Sequence, residues 1–198
     1  MKTLKKSLAL LMVAILAFSC VILSGCGGNA DSNNKDSNTA VIDIKDYGKI
    51  TIELKPEEAP ITVANFKKLV NEGFYDGLTF HRIMEGFMMQ GGDPLGNGTG
   101  GSEEEIKGEF SSNGVDNPLS HTRGAVSMAR SMMPNSASSQ FFIVHEDSTF
   151  LDGEYAVFGY VTEGLEVVDK VCITAKPTDN NGTIPADKQL VITSIKLV

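Results

Sequence analysis

With 198 residues, 41% of them hydrophobic and 21% charged, the chain has room for one ordinary domain plus extensions, and its composition is globular rather than disordered. Its 20 glycines and 7 prolines argue against long helices and for a turn-rich β fold. A net charge of −8 makes nucleic acid an unfavourable partner, because a phosphate backbone is bound through cations.

At the start of the chain Lys2, Lys5 and Lys6 precede an apolar run from Leu8 to Leu23, the pattern of a secretory signal. The run ends in Leu23-Ser24-Gly25-Cys26, which resembles the bacterial lipobox, whose cysteine is diacylated and becomes the N-terminus. A transmembrane anchor would need about 20 apolar residues, whereas here small residues and Cys26 stand where a cleavage site belongs. Residues 1–25 are therefore expected to be removed, and lipid on Cys26 to tether the protein to the extracytoplasmic side of a cell membrane. Each buried CH₂ adds about 0.8 kcal/mol, so several acyl chains anchor stably where one does not. Removal of the three lysines leaves 14 basic against 25 acidic side chains, a net charge of −11.

Residues 26–39 form the lipidated cysteine and a tether: from Gly27 to Thr39 there is no large apolar side chain, and such a segment cannot bury enough surface to order itself. A random coil of that length spans roughly 20 Å, enough to lift a domain clear of lipid headgroups. With Cys20 in the signal and Cys26 lipidated, Cys172 stands alone among apolar neighbours, so no intramolecular disulfide is expected and the thiol reads as core.

Residues 40–198 carry the domain. Ile42 and Ile44, then Ile50, Ile52 and Leu54, alternate with polar residues on either side of Tyr47-Gly48 and predict a β-hairpin. After Pro60, Val63, Phe66, Leu69 and Val70 recur at helical spacing, with Thr62 as the expected N-cap and Gly73 as the stop. Short apolar segments follow between Gly-rich turns, at residues 79–83, 87–90, 125–129, 140–144 and 156–161, and each reads as a strand. Leu165, Val168 and Val171 share a helical face, and residues 190–197 alternate as a closing strand. Many strands with two helices predict a closed barrel, with residues 91–122 as loops carried on it.

Several motifs carry no chemistry in this context. Gly96-Asn97-Gly98-Thr99-Gly100-Gly101 satisfies GxGxxG, yet Asp93-Pro94 precede it and Glu103-Glu104-Glu105 follow, which would repel phosphates. That acidic run reads as a solvated loop. His81, His121 and His145 are too scattered for a metal site, and no cofactor is indicated. A Ser-His-Asp hydrolase lacks a GxSxG elbow, and Ser127 falls inside a predicted strand. Met132 and Met133, before Pro134, read as loop packing, with exposure beside a binding groove as the alternative.

The informative stretch is Phe80-His81-Arg82-Ile83-Met84-Glu85-Gly86-Phe87-Met88-Met89-Gln90-Gly91-Gly92-Asp93, where two strands about a Glu85-Gly86 turn would place Arg82, Met88 and Gln90 on one face. It resembles the cyclophilin family of peptidyl-prolyl cis/trans isomerases. Gly98-Thr99-Gly100-Gly101, Ser127-Met128-Ala129, residues 138–143 and Leu151-Asp152-Gly153 with Val157-Phe158-Gly159 match in the same order. The resemblance implies a closed eight-stranded antiparallel β-barrel with a helix over each end. It implies Arg82 as catalytic cation and Gln90 as its positioner. Phe87, Met88, Phe142 and Leu151 would hold a proline ring, with Phe150 and Tyr155 as further walls and Ala129, Arg130 and Gln140 lining the peptide groove. Phe150, Tyr155 and Arg130 stand where the commonest eukaryotic pattern has tryptophan, histidine and asparagine, and Phe150 lacks an indole N–H, so weak cyclosporin inhibition is expected. The implied protein is a monomer that accelerates proline-limited folding of exported polypeptides. A proline-peptide-binding chaperone with little turnover is the alternative.

Overall fold

The structure, a computed structural model, describes residues 36–198. The expected signal peptide, Cys26 and most of the tether lie outside the described residues. The tether's last residues are held rather than free: Lys67 Nζ donates to Asp36 O and Asn38 Oδ1, and the first strand already includes Thr39.

Strands β1 (Thr39–Ile44) and β2 (Gly48–Leu54) form the expected hairpin, in register Ile42 to Ile50 and Ala40 to Ile52. Helix α1 (Pro60–Asn71) follows, then β3 (Thr79–Met84), β4 (Met88–Asp93), β5 (Ala125–Met128), β6 (Phe141–Val144), β7 (Val157–Glu163), α2 (Leu165–Thr174) and β8 (Leu190–Leu197). The strands close in the order β1-β2-β7-β5-β6-β4-β3-β8, every pair antiparallel, with β8 returning to β1.

Four neighbouring strands bury both faces. Met89, Val126, Phe141, Ile143 and Phe158 enter the barrel core, while Met88, Ala125, Phe142, Val144 and Val157 form a second apolar cluster on the outer face, under the site loops. That is why these segments read as short apolar runs, broken in β4 by Gln90 and in β5 by Ser127, rather than as strict alternation. Each helix turns its apolar side into the barrel core. Phe66 of α1 packs 5.2 Å from Phe158 and 5.8 Å from Phe141 between ring centroids, and Val168 and Val171 of α2 are fully buried.

Thr62 is not the N-cap of α1. The helix starts at Pro60 with Ala59 in the cap position and no side-chain cap of its own. Its first amides are satisfied from a distant loop: Glu109 accepts from Ile61 N (3.0 Å), Thr62 N (2.8 Å) and Thr62 Oγ1 (2.7 Å). A local Thr cap is redundant once a buried carboxylate occupies the positive end of the helix. Gly73 ends the helix as expected, at φ +69°.

Candidate active site

Arg82 and Gln90 face one another across the β3–β4 pair, and Arg82 Nη1 donates to Gln90 Oε1 at 3.2 Å. Gln90 Nε2 then donates to Gln140 Oε1 (2.9 Å), and Gln140 Nε2 to Gly100 O (2.7 Å). The last bond, to a carbonyl, fixes which way both amides point, and so presents an oxygen to the guanidinium. From the opposite side Arg82 Nε donates to Asn181 O at 2.7 Å, while among the described residues Nη2 meets only Met84 Sδ, at 3.4 Å. Burial pulls the Arg82 pKa below the ordinary guanidinium value, opposed by Tyr155 and Asp179. Arginine nonetheless stays charged at physiological pH.

Beside the guanidinium lies a hollow of about 210 Å³ lined by Arg82, Phe87, Met88, Gln90, Ala129, Arg130, Phe142, Leu151 and Tyr155. Met88 and Phe142, buried from β4 and β6, make its floor. Phe87 lies just before β4, in the turn at Gly86, whose φ of +76° favours glycine. His145 holds that turn: its Nδ1 accepts from Gly86 N (2.9 Å) and its backbone N donates to Phe87 O (2.8 Å). Phe150 is not inside the hollow. It is 72% exposed on the rim, with its ring 5.7 Å from that of Phe87.

A groove of about 560 Å³ continues from the hollow, sharing Gln90, Ala129 and Arg130 with it, and reaches Gln140, residues 98–103 and Glu105. Arg130 closes its near side. Its guanidinium lies over Tyr155 (4.6 Å) and Phe110 (5.0 Å), and its Nε and Nη2 donate to Glu154 O. Met132 and Met133, read from sequence as packed, are 94% and 69% exposed, because the loop is held instead by Ser131–Ser136 and Arg130–carbonyl bonds.

The GxGxxG loop is filled by its own chain: the Asp93 carboxylate accepts from Leu95 N, Asn97 N and Gly98 N at 2.6–3.0 Å. Burial pushes the Asp93 pKa up, but these amides outweigh it and hold the group below the usual carboxylate range. His81, on the far side of Arg82, is buried with neither ring nitrogen bonded among the described residues. Burial lowers its pKa, so the ring is neutral.

The structure thus gathers Arg82, Gln90, Phe87, Met88, Ala129, Arg130, Gln140, Phe142, Leu151 and Tyr155 around two adjoining cavities. Sequence reasoning missed Asn181, Phe110 and Glu154, which brace the two arginines, and the role of Gly100, whose carbonyl orients Gln140. Asn181 and Gly100 act through backbone carbonyls, which leave no residue signature.

Comparison with known proteins places the chain in a family. The family model described as "Cyclophilin type peptidyl-prolyl cis-trans isomerase/CLD" matches residues 39–197. Peptidyl-prolyl cis-trans isomerase B of Bacillus subtilis is 55% identical over 123 residues, which is 62% of this chain and 82% of that protein. A probable peptidyl-prolyl cis-trans isomerase of Brucella suis is 43% identical over 164 residues, 80% of this chain and 83% of the relative. Among solved structures, a cyclophilin of Cryptosporidium parvum, crystallised in the presence of the dipeptide Ala-Pro, superposes with a TM-score of 0.71 at 30% identity. The match covers 81% of this chain and 98% of that one. The chain therefore belongs to the cyclophilin-type peptidyl-prolyl cis-trans isomerases.

Proposed function

We propose that in this isomerase Arg82 is the catalytic cation, Gln90 positions it, and the hollow floored by Met88 and Phe142 holds the proline ring. The reaction rotates an X–Pro amide and breaks no covalent bond, against a barrier of roughly 18–20 kcal/mol set by partial double-bond character. Rotation uncouples the nitrogen lone pair from the carbonyl, so a catalyst must favour the twisted amide over the planar one. The observation that carries the reading is a guanidinium held by Gln90 and Asn181 beside a hollow floored by Met88 and Phe142, with Nη2 facing, among the described residues, only a weak sulfur acceptor. Nη2 can turn to the twisted amide while the apolar walls restrain the ring and the acyl side rotates. Arg82 stabilises charge and moves no proton.

A protease-free isomerisation assay on a prolyl tetrapeptide tests this. Arg82→Ala should lower kcat/KM by about 100-fold, the scale lost with one transition-state donor, in a variant whose fold is verified. Unchanged activity would overturn the assignment. Peptide binding without turnover in the wild-type protein would favour the binding-module reading.

The basic start, the apolar run and Leu23-Ser24-Gly25-Cys26 support a lipoprotein anchored through Cys26 on the outer face of a bacterial membrane, monomeric, acting on proline-limited folding of exported polypeptides. The Ala-Pro present with the Cryptosporidium neighbour supports proline-containing peptides as ligands. Cys26→Ser should shift the protein from the membrane to the soluble fraction and abolish the acyl mass. Retention on the membrane would refute the anchor.

A further inference from the structure

One wall of the hollow comes from a loop rather than from the barrel. Leu151 and Tyr155 lie on residues 148–155, a segment with only a single turn of 3-10 helix to stiffen it. Asp152, between them, accepts from Ser120 Oγ (2.6 Å), His121 N (2.7 Å) and His121 Nδ1 (2.8 Å), and Ser148 N donates to His121 O (2.7 Å). Because an ionised Asp152 only accepts, the bond fixes the hydrogen on Nδ1. Nε2 is then the acceptor for the Ser127 hydroxyl on β5, 3.0 Å away. The imidazole is fully buried, lies nearly parallel to Phe142 (5.9 Å, 13°) and stands edge-on to Tyr155 (6.4 Å). One ring therefore touches the loop, the barrel strand behind it and the floor of the hollow.

Ser127, His121 and Asp152 have the order of a hydrolase triad, but Ser127 is fully buried in mid-strand, and neither it nor His121 lines any of the cavities above. No substrate carbonyl can reach its oxygen. The arrangement is instead a brace. We propose that His121 and Asp152 are positioning residues of the isomerase: they fix the spacing between the Leu151–Tyr155 wall and the Phe142–Met88 floor, and so set affinity for the prolyl ring. This rests on the reading that the hollow takes proline.

The test compares kcat and KM for a prolyl tetrapeptide in four proteins. Asp152→Ala should raise KM about tenfold with kcat within about twofold, the pattern of a loosened binding wall beside an intact Arg82. Asp152→Asn, whose Oδ1 keeps both bonds from His121, should restore KM to within about threefold of wild type. Leu151→Ala, which removes a wall residue directly, should raise KM on its own. If Asp152→Ala only lowers the melting temperature, with both constants unchanged per folded molecule, the brace is structural and the proposal is overturned. If Leu151→Ala leaves KM unchanged, the proline-hollow reading fails first and the proposal with it. Should Asp152→Ala not fold, Ser120→Ala removes one of the three bonds from a half-buried side chain. A KM rise of about threefold is then expected, and no rise overturns the proposal.

Discussion

Glu109 offers the sharpest test of how this barrel is held. The residue is 2% exposed, lies 47 positions from Thr62, and caps α1 with three hydrogen bonds that the helix cannot supply itself. In Glu109→Ala the buried Thr62 N–H and hydroxyl lose their acceptor, at about 1–3 kcal/mol for each buried unsatisfied donor. The favourable charge at the helix N-terminus, worth about 0.3–1 kcal/mol, goes with them. Ile61 is 42% exposed, so its amide turns to water at little cost. A loss of about 3 kcal/mol lowers the melting temperature of a domain this size by about 6–12 °C. Circular dichroism melts of the wild type and variant at one pH and scan rate measure it. A shift within about 2 °C would refute the claim that this carboxylate, rather than the apolar face of α1, fixes the helix end.

Two further outcomes follow from burial. His81 and His121 are both held below the ordinary imidazole pKa of 6.5 by burial, opposed at His81 by Asp93 and assisted by Arg82, and opposed at His121 by Asp152. Below pH 6.5 the unfolded chain therefore binds more protons than the folded one, so stability is full above 6.5 and falls as the pH drops beneath it. Urea midpoints should decline from pH 7 to pH 5, and a flat profile would refute the neutral assignments. At Cys172 burial, reinforced by Asp169 and Glu85, pushes the thiol up to about 12. A thiol reagent at pH 8 should leave Cys172 unmodified in the folded protein and modify it fully in guanidinium, as mapped by mass spectrometry; modification in the native state would contradict the packing of α2.

What could be read in advance follows the range of each interaction. The hairpin was legible because Ile42, Ile44, Ile50, Ile52 and Leu54 alternate within a few residues of their turn, and α1 because Val63, Phe66 and Leu69 share one face. In β6 both faces are apolar, so the pattern could not say that Phe142 faces the site while Phe141 faces the core, and only the family resemblance singled Phe142 out; in β4 alternation about the turn had already set Met88 beside Arg82 and Gln90. Asn181, 99 positions from the arginine it braces, and Glu109 act across the fold, where spacing carries no information. Thr62 was misread because a correct local rule lost to a tertiary carboxylate. Ser127 and His121 were set aside singly and Asp152 stood only within a matching motif, since nothing in one dimension brings position 121 beside position 152.

Closure of the strand ring has a consequence for the company this protein keeps. Among the described residues each of the eight strands has a hydrogen-bonded neighbour on both sides. Even the shortest seam, two residue pairs between β3 and β8, is prolonged by Ile192 N to Leu78 O and Gly77 N to Ile192 O. An extended polypeptide that meets the barrel finds no open row of amides and carbonyls to join as a further strand. A surface of this kind can sit among unfolded chains without seeding their aggregation.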